Sequence, residues 1–127
     1  MTIEIWDKKL QELNKELAQW VWPNAQVYIP RHVPVEIRVR INNQTEVYDF
    51  FTKSLDLGFQ LLIPPLSKEG WIISVGAYEH SGYWARRTWF TVDNPTTYNI
   101  DDDNSPSMAL CKIIKEYLDI KKGALCK

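Results

Sequence analysis

At 127 residues, 45% of them apolar and 24% charged, the chain has the makeup of one soluble domain, long enough to close a hydrophobic core unaided. Its 15 basic and 16 acidic side chains leave a net charge of −1. That balance excludes a protein that grips nucleic acid by overall basicity, and equally an acidic mimic of nucleic acid. Cys111 and Cys126 imply no disulfide framework. The N-terminus has no basic start followed by an apolar run, and no stretch reaches the roughly eighteen apolar residues of a membrane span, so the cytoplasm is the expected compartment.

Trp6, Leu10, Leu13, Leu17 and Trp20 recur at steps of three and four, with Lys8, Lys9, Glu12, Lys15 and Glu16 on the opposite side. This pattern predicts an amphipathic helix over 3–21, with Thr2 as a cap and Pro23 as a stop. Pro30 and Pro34 bracket an extended connection, and the period then changes to two: Val35, Ile37, Val39 and Ile41 alternate with Glu36, Arg38 and Arg40. That is a strand with one wet face. After a turn at Asn42-Asn43-Gln44, either a hairpin partner or a helix fits. The spacing of Val47, Phe50, Phe51 and Leu55, with Thr45 as cap and Gly58 as C-terminal stop, favours the helix.

Phe59 to Ile63 reads as a short strand halted by Pro64-Pro65. Trp71–Tyr78 and Trp84–Val92 read as an antiparallel hairpin linked through Glu79-His80-Ser81-Gly82, apolar on both faces and therefore covered on both. The polar stretch from Asp93 to Asn104 reads as a loop. Ser105-Pro106 opens a last helix whose buried stripe is Leu110, Ile113, Ile114, Tyr117 and Leu118, ending near Lys121-Lys122-Gly123 before a fraying tail over 121–127. The expectation is a single α+β domain over 1–127, with a mostly antiparallel sheet of about four strands and helices on both faces, the sheet and its helices spanning 35–118.

From Thr45 to Leu118, the Gly70-Trp71 strand start and the closing helix entered through Pro106 to Cys111 resemble the small phage-encoded proteins of the ABA-sandwich type. The first 40 residues depart from that pattern. The resemblance implies an α/β/α sandwich and a phage or prophage origin, and it brings no catalytic residues.

Functional groups are densest in the 78–89 hairpin, which gathers Tyr78, His80, Tyr83, Trp84, Arg86 and Arg87. Arginine forks grip phosphate and aromatic faces stack on bases, so this mixture suits a nucleotide or a single strand. Packing explains the same residues if the aromatics are core and the arginines pair across the hairpin. Arg38 and Arg40, preceded by Arg31 and His32, form a second basic cluster, either a solvated strand face or, beside Arg86 and Arg87, part of an anion site.

Asp101-Asp102-Asp103-Asn104 lacks the alternation and glycine of a calcium loop, and suits the start of the last helix electrostatically. The histidines and cysteines have no zinc spacing, and no nucleophile elbow, phosphate loop or metalloprotease motif occurs. No metal or cofactor is therefore expected, and no enzyme. The expected function is a small accessory binding protein of phage or mobile-element origin, sequestering a nucleotide-type signal to blunt a host defence. The alternatives are direct inhibition of a host defence protein, in the manner of anti-CRISPR proteins, and a small enzyme using His80. The Trp6, Leu10, Leu13, Leu17 and Trp20 stripe is the candidate partner face: it packs either on its own sheet or on a second copy, with a homodimer expected.

Overall fold

The computed structural model describes residues 3–90, 95–102 and 105–125, with the side chains at 3–7, 90 and 123–125 left aside. Thr2, Val92, Asp103, Asn104 and Cys126, and the side chain of Trp6, lie outside the described residues. The chain runs α1 (Ile3–Val21), β1 (Gln26–Tyr28), β2 (Glu36–Ile41), β3 (Gln44–Asp49), α2 (Leu55–Leu61), α3 (Ile63–Lys68), β4 (Trp71–Ala77), β5 (Tyr83–Phe90), β6 (Pro95–Asp102) and α4 (Pro106–Leu125). The fold is α+β, as expected, but the strands form two three-stranded antiparallel sheets, β1-β2-β3 and β4-β5-β6, in place of one four-stranded sheet.

The layering also differs from helices on both faces of a sheet. Helix α1 packs on β1 and β2, α4 packs on β4, β5 and β6, and the two helices pack on each other. The sheets are outside and these two helices lie between them. Helix α4 is accordingly buried over much of its circumference, at Ala109, Leu110, Cys111, Ile113, Ile114, Tyr117 and Leu118. Leu17 and Ala18 of α1, Ile37 and Val39 of β2, and Phe50 and Phe51 complete the centre of the core. Burial pushes the Cys111 thiol up, so it stays protonated as a small apolar filler.

The helix expected from Thr45 is instead the second strand of a hairpin. Asn42 and Asn43 have φ of 50° and 67°, and Ile41 pairs with Gln44, which makes a two-residue turn of the type that continues a strand's twist. Val47 then faces solvent at 54% exposure, while Phe50 and Phe51 enter the core from the turn beyond the strand. The expected strand at Phe59–Ile63 is likewise helical. The Ser54 hydroxyl accepts from Leu57 N–H at 3.1 Å and starts α2, and Pro64 sits in the first turn of α3, where a missing N–H costs nothing. Gly58 is not a C-cap but the crossing point of α2 on α4, since a Cβ there would lie 2.7 Å from Leu110 Cδ2.

The stretch read as a loop contains β6, whose Pro95 and acidic end are compatible with an edge strand that need not donate every N–H. Helix α4 begins as expected: Ser105 Oγ accepts from Met108 N–H at 3.1 Å, and Ser105 C=O accepts from Ala109 N–H. It does not end near Lys121-Lys122-Gly123 but runs on to Leu125. Lys121 bonds Glu69 at 3.0 Å and Lys122 bonds Glu16 at 2.5 Å, contacts that tie the extra turn down.

Candidate functional site

On a strand, successive side chains point to opposite faces, and this divides the predicted cluster in two. One face of β4-β5-β6 lies against α4 and carries Trp71, Ile73 and Val75, then Tyr83, Ala85 and Arg87, then Tyr98 and Ile100. The opposite face carries Ile72, Ser74 and Gly76, then Trp84, Arg86 and Thr88, then Thr97, Asn99 and Asp101. No helix packs on that second face among the described residues, so the expectation of a sheet covered on both sides is corrected.

Arg87 belongs to the covered face and leaves the predicted ligand cluster. It is 2% exposed, and its guanidinium donates to Glu116 Oε1 at 2.9 Å and to the Ile113 carbonyl of α4 at 3.0 Å. Tyr98 lies 4.2 Å, Trp71 5.2 Å and Tyr117 5.7 Å from its central carbon by ring centroid, so the charge sits in an aromatic box. Tyr83 also points inward, packed against the core. His80 is exposed at the hairpin tip and makes no hydrogen bond or ion pair with a described residue.

What remains on the open face is a layered arrangement. Gly76 stands directly opposite Trp84, and the indole lies across it: a Cβ at 76 would be 2.3 Å from Trp84 Cζ2. An aromatic ring shielding a strand glycine stabilises the pair and fixes the ring flat on the sheet. The Arg86 guanidinium covers the outer side of that ring at 5.0 Å, and its Nε donates to Asn99 Oδ1 at 2.7 Å. The guanidinium is thus held at two points, by the ring and by the Nε hydrogen bond. Its Nη nitrogens have no partner among the described residues.

Tyr78, 50% exposed, closes one end of this face by donating to Asp101 Oδ1 at 2.6 Å. That bond holds the phenol protonated above its ordinary range, so Tyr78 serves as a donor and not as a base. Thr88 and Thr97 face each other at 3.3 Å at the other end.

The second basic cluster is elsewhere. Arg38 and Arg40 lie on the outer face of β1-β2-β3, on its central strand and not on an edge. Arg38 approaches Glu36 at 3.6 Å, and Arg40 reaches Asn43 at 3.4 Å. The two helices separate this sheet from β4-β5-β6, so the arginine clusters do not merge. Arg31 and His32 are exposed in the β1–β2 connection. In the predicted partner stripe, Leu17 is fully buried, and Leu10, Leu13 and Trp20 pack against the core of their own chain. That stripe is used internally and is not a free dimer face.

A cleft of about 510 Å³ runs between α1 and α4 over Trp20 and Leu118. On its rim Glu16 takes Lys115 at 2.7 Å and Lys122 at 2.5 Å. Burial works against the Glu16 carboxylate, but those two hydrogen bonds outweigh it and hold its pKa below the usual value. Glu12 and Lys15 also line the cleft with no hydrogen bond or ion pair among the described residues to fix them, so it offers a ligand little that is directional and the open sheet face is the stronger site. Among the described residues no group of three metal-ligating side chains exists, and Asp102 of the former metal-loop candidate is buried against Lys112 and the Ser105 N–H. The sequence does not single out Asn99, and weighs Asp101 only as part of a metal loop, because β6 has the composition of a loop; Gly76 is an unmarked glycine within β4.

The fold and this face define a small α+β protein with a sheet surface left open beside a pre-positioned arginine. No family model, no curated protein and no solved structure matches the chain. No helix among the described residues is long and apolar enough to cross a membrane.

Proposed function

We propose that the chain is a non-enzymatic binding protein that takes a nucleotide-type ligand on the open face of β4-β5-β6. The observation that carries this reading is the Gly76–Trp84–Arg86 arrangement, in which a guanidinium is held over the indole and by Asn99 with its Nη donors unused among the described residues. A phosphate takes those donors end-on, and a base stacks on the guanidinium plane, flanked by Ile72 and the Thr88–Thr97 pair. Holding the fork in advance lowers the ordering cost of binding. Nothing in the stack is arranged to break a bond: Tyr78 is engaged by Asp101, and His80 stands apart at the hairpin tip. In the phage setting that the resemblance of residues 45–118 implies, sequestering a nucleotide signal on this face blunts a host defence.

Thermal unfolding against mononucleotides, cyclic di- and trinucleotides, ADP-ribose derivatives and short single strands tests this. A ligand at a hundred times its dissociation constant contributes about 2.7 kcal/mol, which raises the midpoint of a chain this long by roughly 10 °C. Arg86→Ala and Trp84→Ala should each abolish the shift, while Arg38→Ala on the other sheet should leave it intact. A panel with no shift, or a shift that survives Arg86→Ala, overturns the reading.

A further inference from the structure

A sheet edge presents unpaired N–H and C=O groups, and proteins ordinarily protect edges with charge, proline, bulges or brevity. Three of the four edges here are protected in those ways. Strand β1 is only three residues long, β3 carries Glu46 and Asp49, and β6 starts with Pro95 and ends in Asp101-Asp102. Strand β4 is different. Its seven residues, Trp-Ile-Ile-Ser-Val-Gly-Ala, include no charge and no proline, and its pairing with β5 runs without a bulge from Trp71↔Trp89 to Ala77↔Tyr83.

The hairpin bond fixes which groups point outward. Tyr78 N–H donates to Gly82 C=O at 3.0 Å, so this pair is hydrogen-bonded, and bonded pairs then alternate along the ladder at Gly76↔Trp84, Ser74↔Arg86 and Ile72↔Thr88. Trp71, Ile73, Val75 and Ala77 therefore turn their backbone groups away from β5. No hydrogen bond from another described segment reaches them.

We infer that β4 pairs with β4 of a second copy, antiparallel about a two-fold axis through Ser74, joining two three-stranded sheets into one of six strands. The strand is self-complementary in that register. Trp71 faces the second copy's Ala77, Ile72 its Gly76, Ile73 its Val75, and Ser74 its own equivalent, so each bulky side chain meets an equal or smaller one. Trp71, Ile73, Val75 and Ala77 exchange their outward bonds with one another across the axis. Ile72, 55% exposed in the single chain, comes beside the Trp84 indole that lies on the opposite Gly76, which gives that exposed apolar side chain a covering partner. Both α4 helices fall on the same side of the joined sheet, as a single axis perpendicular to it requires. Assembly stops at two copies, because the outer edges left over are the two β6 strands with their proline and aspartates. The occupant is a second copy and not a foreign peptide because this pairing uses the whole strand and its own sequence.

Sedimentation of the full chain at tens of micromolar should show twice the 14.9 kDa protomer. Ser74→Lys, whose side chain lies on the open face, places two like charges directly across the axis and should shift the sedimenting species to the protomer with circular dichroism unchanged. Ser74→Cys in a Cys126→Ser background should form a covalent dimer under mild oxidation, because the two introduced thiols fall in a closely spaced non-bonded pair. This second variant keeps the inference testable if lysine at 74 disturbs folding. A protomer-sized species at a hundred micromolar, or a dimer of the Ser74→Cys variant that does not cross-link, overturns it.

Discussion

Arg87→Ala should lower unfolding stability by roughly 3–5 kcal/mol, read as a drop in the urea midpoint, and should do so without touching the open face. The side chain is buried, and removing it leaves a void among Trp71, Tyr98 and Tyr117 and strips Glu116 of its cation. Arg87→Met separates these losses. A methionine stem refills most of the space inside the aromatic box, and Glu116, about one-third exposed, turns to water when its partner is gone. Replacing a buried ionic side chain by an apolar one of similar length is often close to neutral, so Arg87→Met should cost only about 1 kcal/mol. An Arg87→Met variant as damaged as Arg87→Ala would mean that the charge itself, and not the packing around it, holds this corner together. The neighbouring Arg86 gives the reciprocal result: Arg86→Ala should leave the midpoint almost unmoved and remove ligand binding.

Asn14→Ala carries the second large effect, roughly 2–4 kcal/mol. Asn14 lies in α1 at 0% exposure, where a polar side chain is tolerated only if every group is matched. Its Nδ2 donates to the Leu10 carbonyl at 2.8 Å and to Thr52 Oγ1 at 3.1 Å, and its Oδ1 accepts from the Thr52 N–H at 3.3 Å. Thr52 passes the connection on, since its carbonyl accepts from Ser107 Oγ at 2.6 Å at the start of α4. Three residues from α1, the turn after β3 and α4 thus form one buried relay. Truncating Asn14 leaves the Thr52 N–H without a partner in the core. Because the residues act together, Asn14→Ala and Ser107→Ala should be non-additive, with a coupling of about 0.5–3 kcal/mol in a double-mutant cycle of chemical denaturation. Strict additivity would show that the two halves of the relay are independent.

The elements legible from sequence are those in which one face is wet and one dry over several turns or several alternations. Helix α1, strand β2 and helix α4 with its Ser105 cap are of this kind, and the β4–β5 hairpin is legible from its β-branched and aromatic content. The failures share a cause. Val47, Phe50, Phe51 and Leu55 are spaced like a helix stripe, yet they belong to a strand, a turn and the start of α2, so their periodicity is a coincidence across three elements. The tandem asparagines after an alternating strand are the better signal, because asparagine tolerates the left-handed conformation that this turn needs. Pro64-Pro65 reads as a stop and is a start.

For the site, Trp84, Arg86 and Tyr78 are visible from composition alone. That Arg87 is core, that Arg38 and Arg40 are remote, and that the α1 stripe is spent inside the chain depend on which face each element buries. The missed partners Asn99 and Asp101 sit on β6, whose proline and aspartates belong to its edge position and look like loop chemistry.

The connectivity has a kinetic consequence. Every strand pair joins neighbours in the chain, so each meander closes over short loops and can form early. Docking of α1 on α4 spans the widest separation among the described hydrogen bonds, with Glu16 and Lys122 106 positions apart. A contact made late contributes little to the folding barrier, so Leu17→Ala in α1 should speed unfolding and leave the refolding rate nearly unchanged in stopped-flow measurements. Slower refolding of that variant would instead make the meeting of the two terminal helices the nucleus.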